Sequence, residues 1–260
     1  MPIEPQAGGP VALFLFAHQD DEFGVFHQLD ECRRQGRRAV CAYLTRGTKG
    51  LAAQRNGESR RVLASLCVQE ADIAFAGDVL GIDDAHLYAF MDIAGDWIEA
   101  WLGSFGEVES IHVTAWEGGH HDHDALHALT VLAAQRLGLL PKVRQFALYN
   151  RKHCPGPLFR VLSPLAENGA VGFARIPLAR RLAHLRLCLR YPSQTMTWIG
   201  LFPFVVLHYL LDGRQALQPV SLTRLDERPH EGVLYYEHRG FFEWERMKET
   251  LRTWRSRHQP

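Results

Sequence analysis

Residues 10–17 (PVALFLFA) form an unbroken apolar run, preceded by glycine and followed at once by charge in His18-Gln19-Asp20-Asp21-Glu22. A run of that length without alternation reads as a strand buried on both faces, the kind found in the middle of a parallel sheet. The stretch after it fits the same architecture. Residues 20–35 place Phe23, Phe26 and Leu29 at helical spacing and stop at Gly36. Further strands are expected over 39–44, 71–76, 111–115 and 143–149, with helices over 56–66, 92–105 and 123–137 between them. Strands alternating with helices imply right-handed crossovers and a mostly parallel sheet covered on both sides. The expected fold is therefore α/β, a Rossmann-like three-layer sandwich, and ligands in such folds bind beyond the carboxyl ends of the strands.

Past residue 150 the rhythm changes. Pro155, Pro157, Pro164 and Pro177 punctuate the chain, and only 178–190 and 242–257 look helical. The expectation is a single domain over 1–260, with an α/β core at 1–150 and an extension at 151–260 packed on it.

Bulk properties exclude several classes of function. The 29 basic and 29 acidic residues balance, so charge gives no reason to expect nucleic acid or an anionic membrane as the main partner. Five scattered cysteines without a CxxC pair read as reduced thiols. Residues 1–6 (MPIEPQ) lack the features of a signal peptide. The apolar run at 196–211 is interrupted by Pro203, carries His208, and falls short of a comfortable membrane span. These features describe a soluble, cytoplasmic protein and leave its oligomeric state open.

Two segments carry the chemistry. In the first, residues 17–22 (AHQDDE) put four ionisable side chains directly after the buried strand. Asp20 could cap the following helix, with Asp21 and Glu22 complementing its dipole, but that leaves His18 unexplained. In the second, residues 116–124 (WEGGHHDHD) also join a strand to a helix. Gly118-Gly119 permits a sharp turn, and His123 lies three residues before Leu126 on the inward stripe of the helix. His127 reads as a packed residue rather than a ligand, and His121 has the weakest claim of the histidines. Taken together, His18, Asp21 and His123 offer two imidazoles and one carboxylate, the ligand set of a catalytic zinc with an open position. Fe2+ or another divalent ion would suit the same ligands. Asp20 is then free to act as a general base. His120, as an imidazolium, is free to stabilise an oxyanion or protonate a departing amine. Asp122 is expected to orient an imidazole, most plausibly that of His120.

These two segments resemble the AHPDDE and GGHPDHxAxH motifs of the PIG-L/LmbE-like family of N-acetylglucosamine-type deacetylases. Smaller similarities extend over roughly the first 150 residues: Thr45-Arg46-Gly47, Arg55 to Glu58, residues 80–84 (LGIDD), and later Tyr191-Pro-Ser-Gln194. The resemblance implies His18, Asp21 and His123 as zinc ligands, Asp20 as base and His120 as the other active-site histidine. It also implies Arg55 and Asp84 as contacts to an amino-sugar substrate. Gln19 and His121 stand where the family motifs carry proline. The expected function is deacetylation of an N-acetylated amino sugar or its conjugate. Because some family members act on lipid-linked sugars, the aromatic-rich segment 198–204 could line a lipid-binding groove and allow peripheral membrane contact. Two other readings are a 2-His-1-carboxylate Fe(II) oxygenase and a non-catalytic metal- or sugar-binding module. A dinucleotide-binding enzyme is set aside because no GxGxxG follows the first strand.

Overall fold

The first strand, β1 (Val11–Phe16), is buried at every position because it is paired along both edges. It runs parallel to β2 (Arg38–Tyr43) on one side and to β4 (Val108–Thr114) on the other. β3 (Ile73–Phe75) extends the sheet past β2, and β5 (Val143–Phe146) extends it past β4, both parallel. The computed structural model describes residues 9–47 and 50–258, so residues 1–6, on which the signal-peptide reading rests, lie outside the described residues.

Alternate residues of β1 enter different cores, as the two-residue period of a strand demands. Leu13 and Leu15 pack with α4 (Met91–Gly103), α5 (His121–Arg136) and the late helix α9 (Trp244–Arg257). Phe14 and Phe16 pack on the other face with α1 (Phe26–Arg34), α2 (Ala52–Ser65), α6 (Leu178–Cys188) and α7 (Thr195–Leu211). The result is the expected sandwich, helices on both sides of a mostly parallel sheet. A short pair, β6 (Tyr149–Asn150) and β7 (Arg160–Val161), stands apart. Two short helices, α3 (Ala76–Leu80) and α8 (Tyr235–His238), complete the set.

Several details differ from the sequence reading. The segment 20–35 is a 3-10 turn (Asp21–Val25) followed by α1, because the carboxylate of Asp21 folds back on the strand end instead of starting a regular helix. The third strand shrinks to three residues, since Ala76 opens α3, where Gly77 packs directly against the Thr45 backbone. In the later part, β9 (Arg214–Pro219) pairs antiparallel with β5 and β8 (Gly172–Arg175) with β9. They complete a seven-stranded sheet of order β3-β2-β1-β4-β5-β9-β8 among the described residues. The unexpected α7 runs straight through Pro203. A proline inside a helix costs about 3 kcal/mol, and burial of Trp198, Leu201, Val205 and Tyr209 along one side of α7 offsets it.

The strand order places the site. From β1 the chain winds outward through β2 and β3, then crosses back to β4 on the other side of β1. The carboxyl ends of β1 and β4 therefore flank the point where the winding reverses, where open α/β sheets bind ligands. Both histidine-bearing segments leave from those two ends.

Candidate active site

The loop after β1 is held by its own acid. Asp21 Oδ2 accepts hydrogen bonds from the backbone N–H groups of Ala17 (3.0 Å) and His18 (2.8 Å). This bends the chain so that His18, Asp20 and Asp21 all line one cleft. Asp20 has φ +127°, an unusual value for a residue with a side chain, and such backbone strain concentrates at functional sites. Its side chain makes no capping hydrogen bond, so helix capping does not account for it. Glu22 does have a structural place, accepting from Tyr43 Oη (2.9 Å) and from the Asp20 N–H (2.9 Å).

After β4 the chain turns through two glycines. Gly118 has φ +67°, and a Cβ on Gly119 would stand 2.2 Å from the Tyr149 carbonyl oxygen. Two buried acids pin this turn. Glu117 accepts from the N–H groups of Leu148 (2.6 Å) and Tyr149 (3.0 Å) and from the Asn150 amide (3.2 Å). Asp124 accepts from the N–H groups of Glu117 (3.3 Å) and Gly118 (3.2 Å). Burial pushes their carboxyls up to about 7 and about 8 respectively. His120 then caps α5, its Nδ1 accepting from the Asp122 N–H at 3.1 Å.

The two loops bring His18, Asp21 and His123 together. His18 Nδ1 lies 3.1 Å from His123 Nε2, His123 Nε2 lies 3.1 Å from Asp21 Oδ1, and Asp21 Oδ2 lies 3.7 Å from His18 Nδ1. Bonds of about 2.0–2.1 Å to one tetrahedral ion set ligand atoms roughly 3.3 Å apart, so the three donors fit a shared divalent cation. The electrostatics point the same way. Burial disfavours charge on His18, but Asp84, Asp122 and Asp21 outweigh it and raise its pKa well above the ordinary value. Against the cost of its own burial, Asp21 is held far below the usual carboxylate range by His123 and His18. This pocket favours positive charge between its acids. A second grouping, His18 with His120 and Asp122, shares His18. Both draw on the two loops, but the first is buried throughout, whereas His120 of the second is only half-buried.

The expectation for Asp122 needs correction. Its carboxylate takes its imidazole hydrogen bond from His18 rather than His120: His18 Nε2 lies 3.0 Å from Asp122 Oδ2, against 3.9 Å for His120 Nδ1. The same carboxylate accepts from the N–H groups of Ala85 (2.6 Å) and Leu87 (3.0 Å). It thus ties the loop after α3 to the histidine. His120 also departs from the imidazolium expected of it. Burial, then the charge of His18, lowers its pKa well below the ordinary value. With Nδ1 accepting a backbone proton, the neutral ring presents Nε2–H as a donor.

Asp20 shows the opposite shift from its neighbour Asp21. Burial and the charge of Asp21 hold its carboxyl well above the usual range, opposed by Arg55. A carboxyl raised in this way holds a proton more readily than an ordinary carboxylate, as a group that exchanges protons with a neighbour requires. Arg55 and Asp84 meet as an ion pair on the wall of the cleft. Asp84 also accepts from Thr45 Oγ1 (2.6 Å) and the Gly47 N–H (3.0 Å).

Other histidines are structural. His121 is buried, stacks on Phe242 at 4.5 Å and contacts the Ala85 carbonyl at 3.0 Å. His127 Nδ1 donates to the Thr114 carbonyl at 2.8 Å. The cleft, about 150 Å³, is also lined by Phe23, Tyr149, Thr197 and Leu201, which the sequence reading did not place there. Tyr149 could have been suspected from its position at the end of the fifth strand. Thr197 had no signal, because it comes from the unexpected helix α7, whereas Leu201 falls in the segment 198–204 that the sequence reading offered as a groove lining. Gln194, noted in the sequence as part of a family-like motif, does reach the cleft.

A family model described as PIG-L, GlcNAc-PI de-N-acetylase, matches residues 13–134, which contain every residue of the two loops. No curated protein sequence matches the chain significantly. Among solved structures, an antimicrobial pseudoaglycone deacetylase superposes with a TM-score of 0.62 at 16% identity, covering 85% of this chain and 99% of its own. The zinc-inhibited form of teicoplanin deacetylase gives 0.64 at 14% identity, covering 81% and 97%. The N,N'-diacetylchitobiose deacetylase of Pyrococcus horikoshii gives 0.53 at 15% identity, covering 80% and 83%. At these identities the superpositions establish a shared fold.

Proposed function

We propose that this chain, whose residues 13–134 match the PIG-L family model, is a zinc-dependent deacetylase hydrolysing the acetamide of an N-acetylated amino sugar or its conjugate. The observation that carries the reading is the convergence of His18 Nδ1, Asp21 and His123 Nε2, donors from two loops 105 residues apart, beside a carboxyl of raised pKa.

His18, Asp21 and His123 would hold the ion. A divalent cation there supplies Lewis-acid chemistry, drawing electron density from the acyl oxygen and making water easier to deprotonate. The remaining work falls to the chain's own groups. Asp20 takes a proton from the attacking water and returns it to the departing nitrogen, so that water and amide become acetate and a protonated amine once the acid's own proton passes to the nitrogen. His120 donates Nε2–H to the oxygen that gains negative charge as the carbonyl is attacked. Asp122 fixes the ring of His18 and the loop at 85–87 together. Arg55 and Asp84 offer a paired donor and acceptor to sugar hydroxyls at the cleft wall. Tyr149 flanks the opening, its ring 5.6 Å from that of His123.

The test is a panel of N-acetylated sugar conjugates incubated with zinc-loaded protein while free amine is monitored. Release of amine from at least one conjugate, abolished by chelation and restored by zinc, is expected. Zinc-loaded protein that releases none would end the proposal.

A further inference from the structure

The longest helix among the described residues, α7, is apolar on both sides. Trp198, Leu201, Val205 and Tyr209 face the core. On the opposite side Met196, Ile199, Leu207 and Leu210 are 82, 65, 50 and 62% exposed. Positions 196, 199, 203, 207 and 210 recur every three or four residues and so form one stripe, about 20 Å long at 1.5 Å per residue. The neighbouring helix α6 adds to it with Leu178, Leu182 and Leu189, all exposed. An apolar face of this extent exceeds the scattered exposed side chains normal for a monomer.

Its charge says what covers it. From residue 168 to 211 the sequence holds no acidic residue and five arginines, in a chain whose overall charge is zero. Arg180 leans on Asp30, and Arg181 is tied to the Ile176 and Tyr209 carbonyls. Arg186 stays exposed on α6 beside Leu182, Arg190 is exposed just past its end beside Leu189 and donates to Ser65 Oγ (2.8 Å), and Arg175 is exposed on β8. A second copy of the chain would set like charges against these arginines. Anionic headgroups would neutralise them while the stripe enters the acyl boundary.

We infer that the outer face of the α6–α7 hairpin docks flat on an anionic lipid bilayer. The segment Pro192–Leu211 has the length and hydropathy of a membrane span. Its inner face, however, is built into the core and into the wall of the cleft through Gln194, Thr197 and Leu201, so it lies along the surface. Trp198, the first residue of the segment 198–204 offered in the sequence reading as a lipid-binding groove, is buried, with its ring stacked on Tyr191 and edge-on to Phe23. The contact is made by the residues on the other side of the helix. This inference stands on surface composition alone and does not depend on the deacetylase reading.

Cosedimentation with vesicles tests it. Wild-type protein should pellet with vesicles of equal parts phosphatidylcholine and phosphatidylglycerol, and at least about tenfold less with phosphatidylcholine alone or in high salt. An Ile199→Glu, Leu207→Glu, Leu210→Glu variant should lose the binding by about tenfold or more, with circular dichroism and melting temperature unchanged. Arg186→Glu with Arg190→Glu should remove the preference for anionic vesicles. Wild type left in the supernatant, a triple variant that pellets equally, or a dimer dissolved by the triple substitution would each overturn the inference.

Discussion

The interior buries histidine in two places and treats it in opposite ways. At the carboxyl edge of β1 and β4, His18 stands among Asp21, Asp84 and Asp122, which raise its pKa despite burial. In the body of the sheet and its helices, burial prevails. His112, between β1 and β5, is pushed down to about 3, with Arg144 and Arg37 adding to the effect of burial. His127 and His184 are each pushed down to about 4. His184 has no hydrogen-bond partner on either ring nitrogen. Burial that no carboxylates outweigh thus keeps an imidazole neutral. What distinguishes the edge is that the carboxylates of Asp21, Asp84 and Asp122 gather around His18.

The largest expected effect separates the two neighbouring acids of that edge. Asp20→Ala should keep one metal ion per chain and lose about two to four orders of magnitude in kcat. Retained activity would assign the proton to another group. Next comes the acid that orients rather than reacts. Asp122→Ala frees the ring of His18 and the N–H groups of Ala85 and Leu87, and should weaken metal binding by about 10–100-fold. Competition with a chelator of known affinity measures it, and unchanged affinity would remove Asp122 from the site.

The neutral histidines give the smaller, opposite test. The unfolded chain takes up protons below the ordinary histidine pKa of 6.5, whereas these buried rings refuse them until about 4 or 3. Their contribution is complete above pH 6.5 and is lost as pH falls toward the folded values. Replacing His112 by Phe, which suits its stacking on Phe14 at 4.6 Å, should flatten the decline. The difference should be on the order of 3 kcal/mol between pH 6.5 and pH 4 by denaturant titration. Equal slopes for both proteins would show that His112 is not neutral in the fold.

The same contrast explains what could be read in advance. The buried strand 11–16 and the two junctions after β1 and β4 were legible because a parallel sheet requires long apolar runs and places polar clusters at their ends. The partner of Asp122 was not, since a carboxylate two residues from His120 and more than a hundred from His18 gives no hint which ring it meets. Strands β8 and β9 escaped notice because GFAR and RQALQP lack clear alternation: β8 is the edge strand, exposed at every position, and β9 beside it is only partly buried. The helix α7 was hidden by Pro203, a local signal overridden by packing along a whole helix face.

The most direct test of the central claim is the metal content of purified protein after zinc loading and gel filtration, wild type beside His123→Ala, read by atomic emission. One ion per wild-type chain and substantially less in the variant is the predicted result, since the substitution removes one of the three proposed ligands while the loop pinned by Glu117 and Asp124 stays in place. A wild-type protein without stoichiometric metal, or a variant that keeps it, would contradict the account.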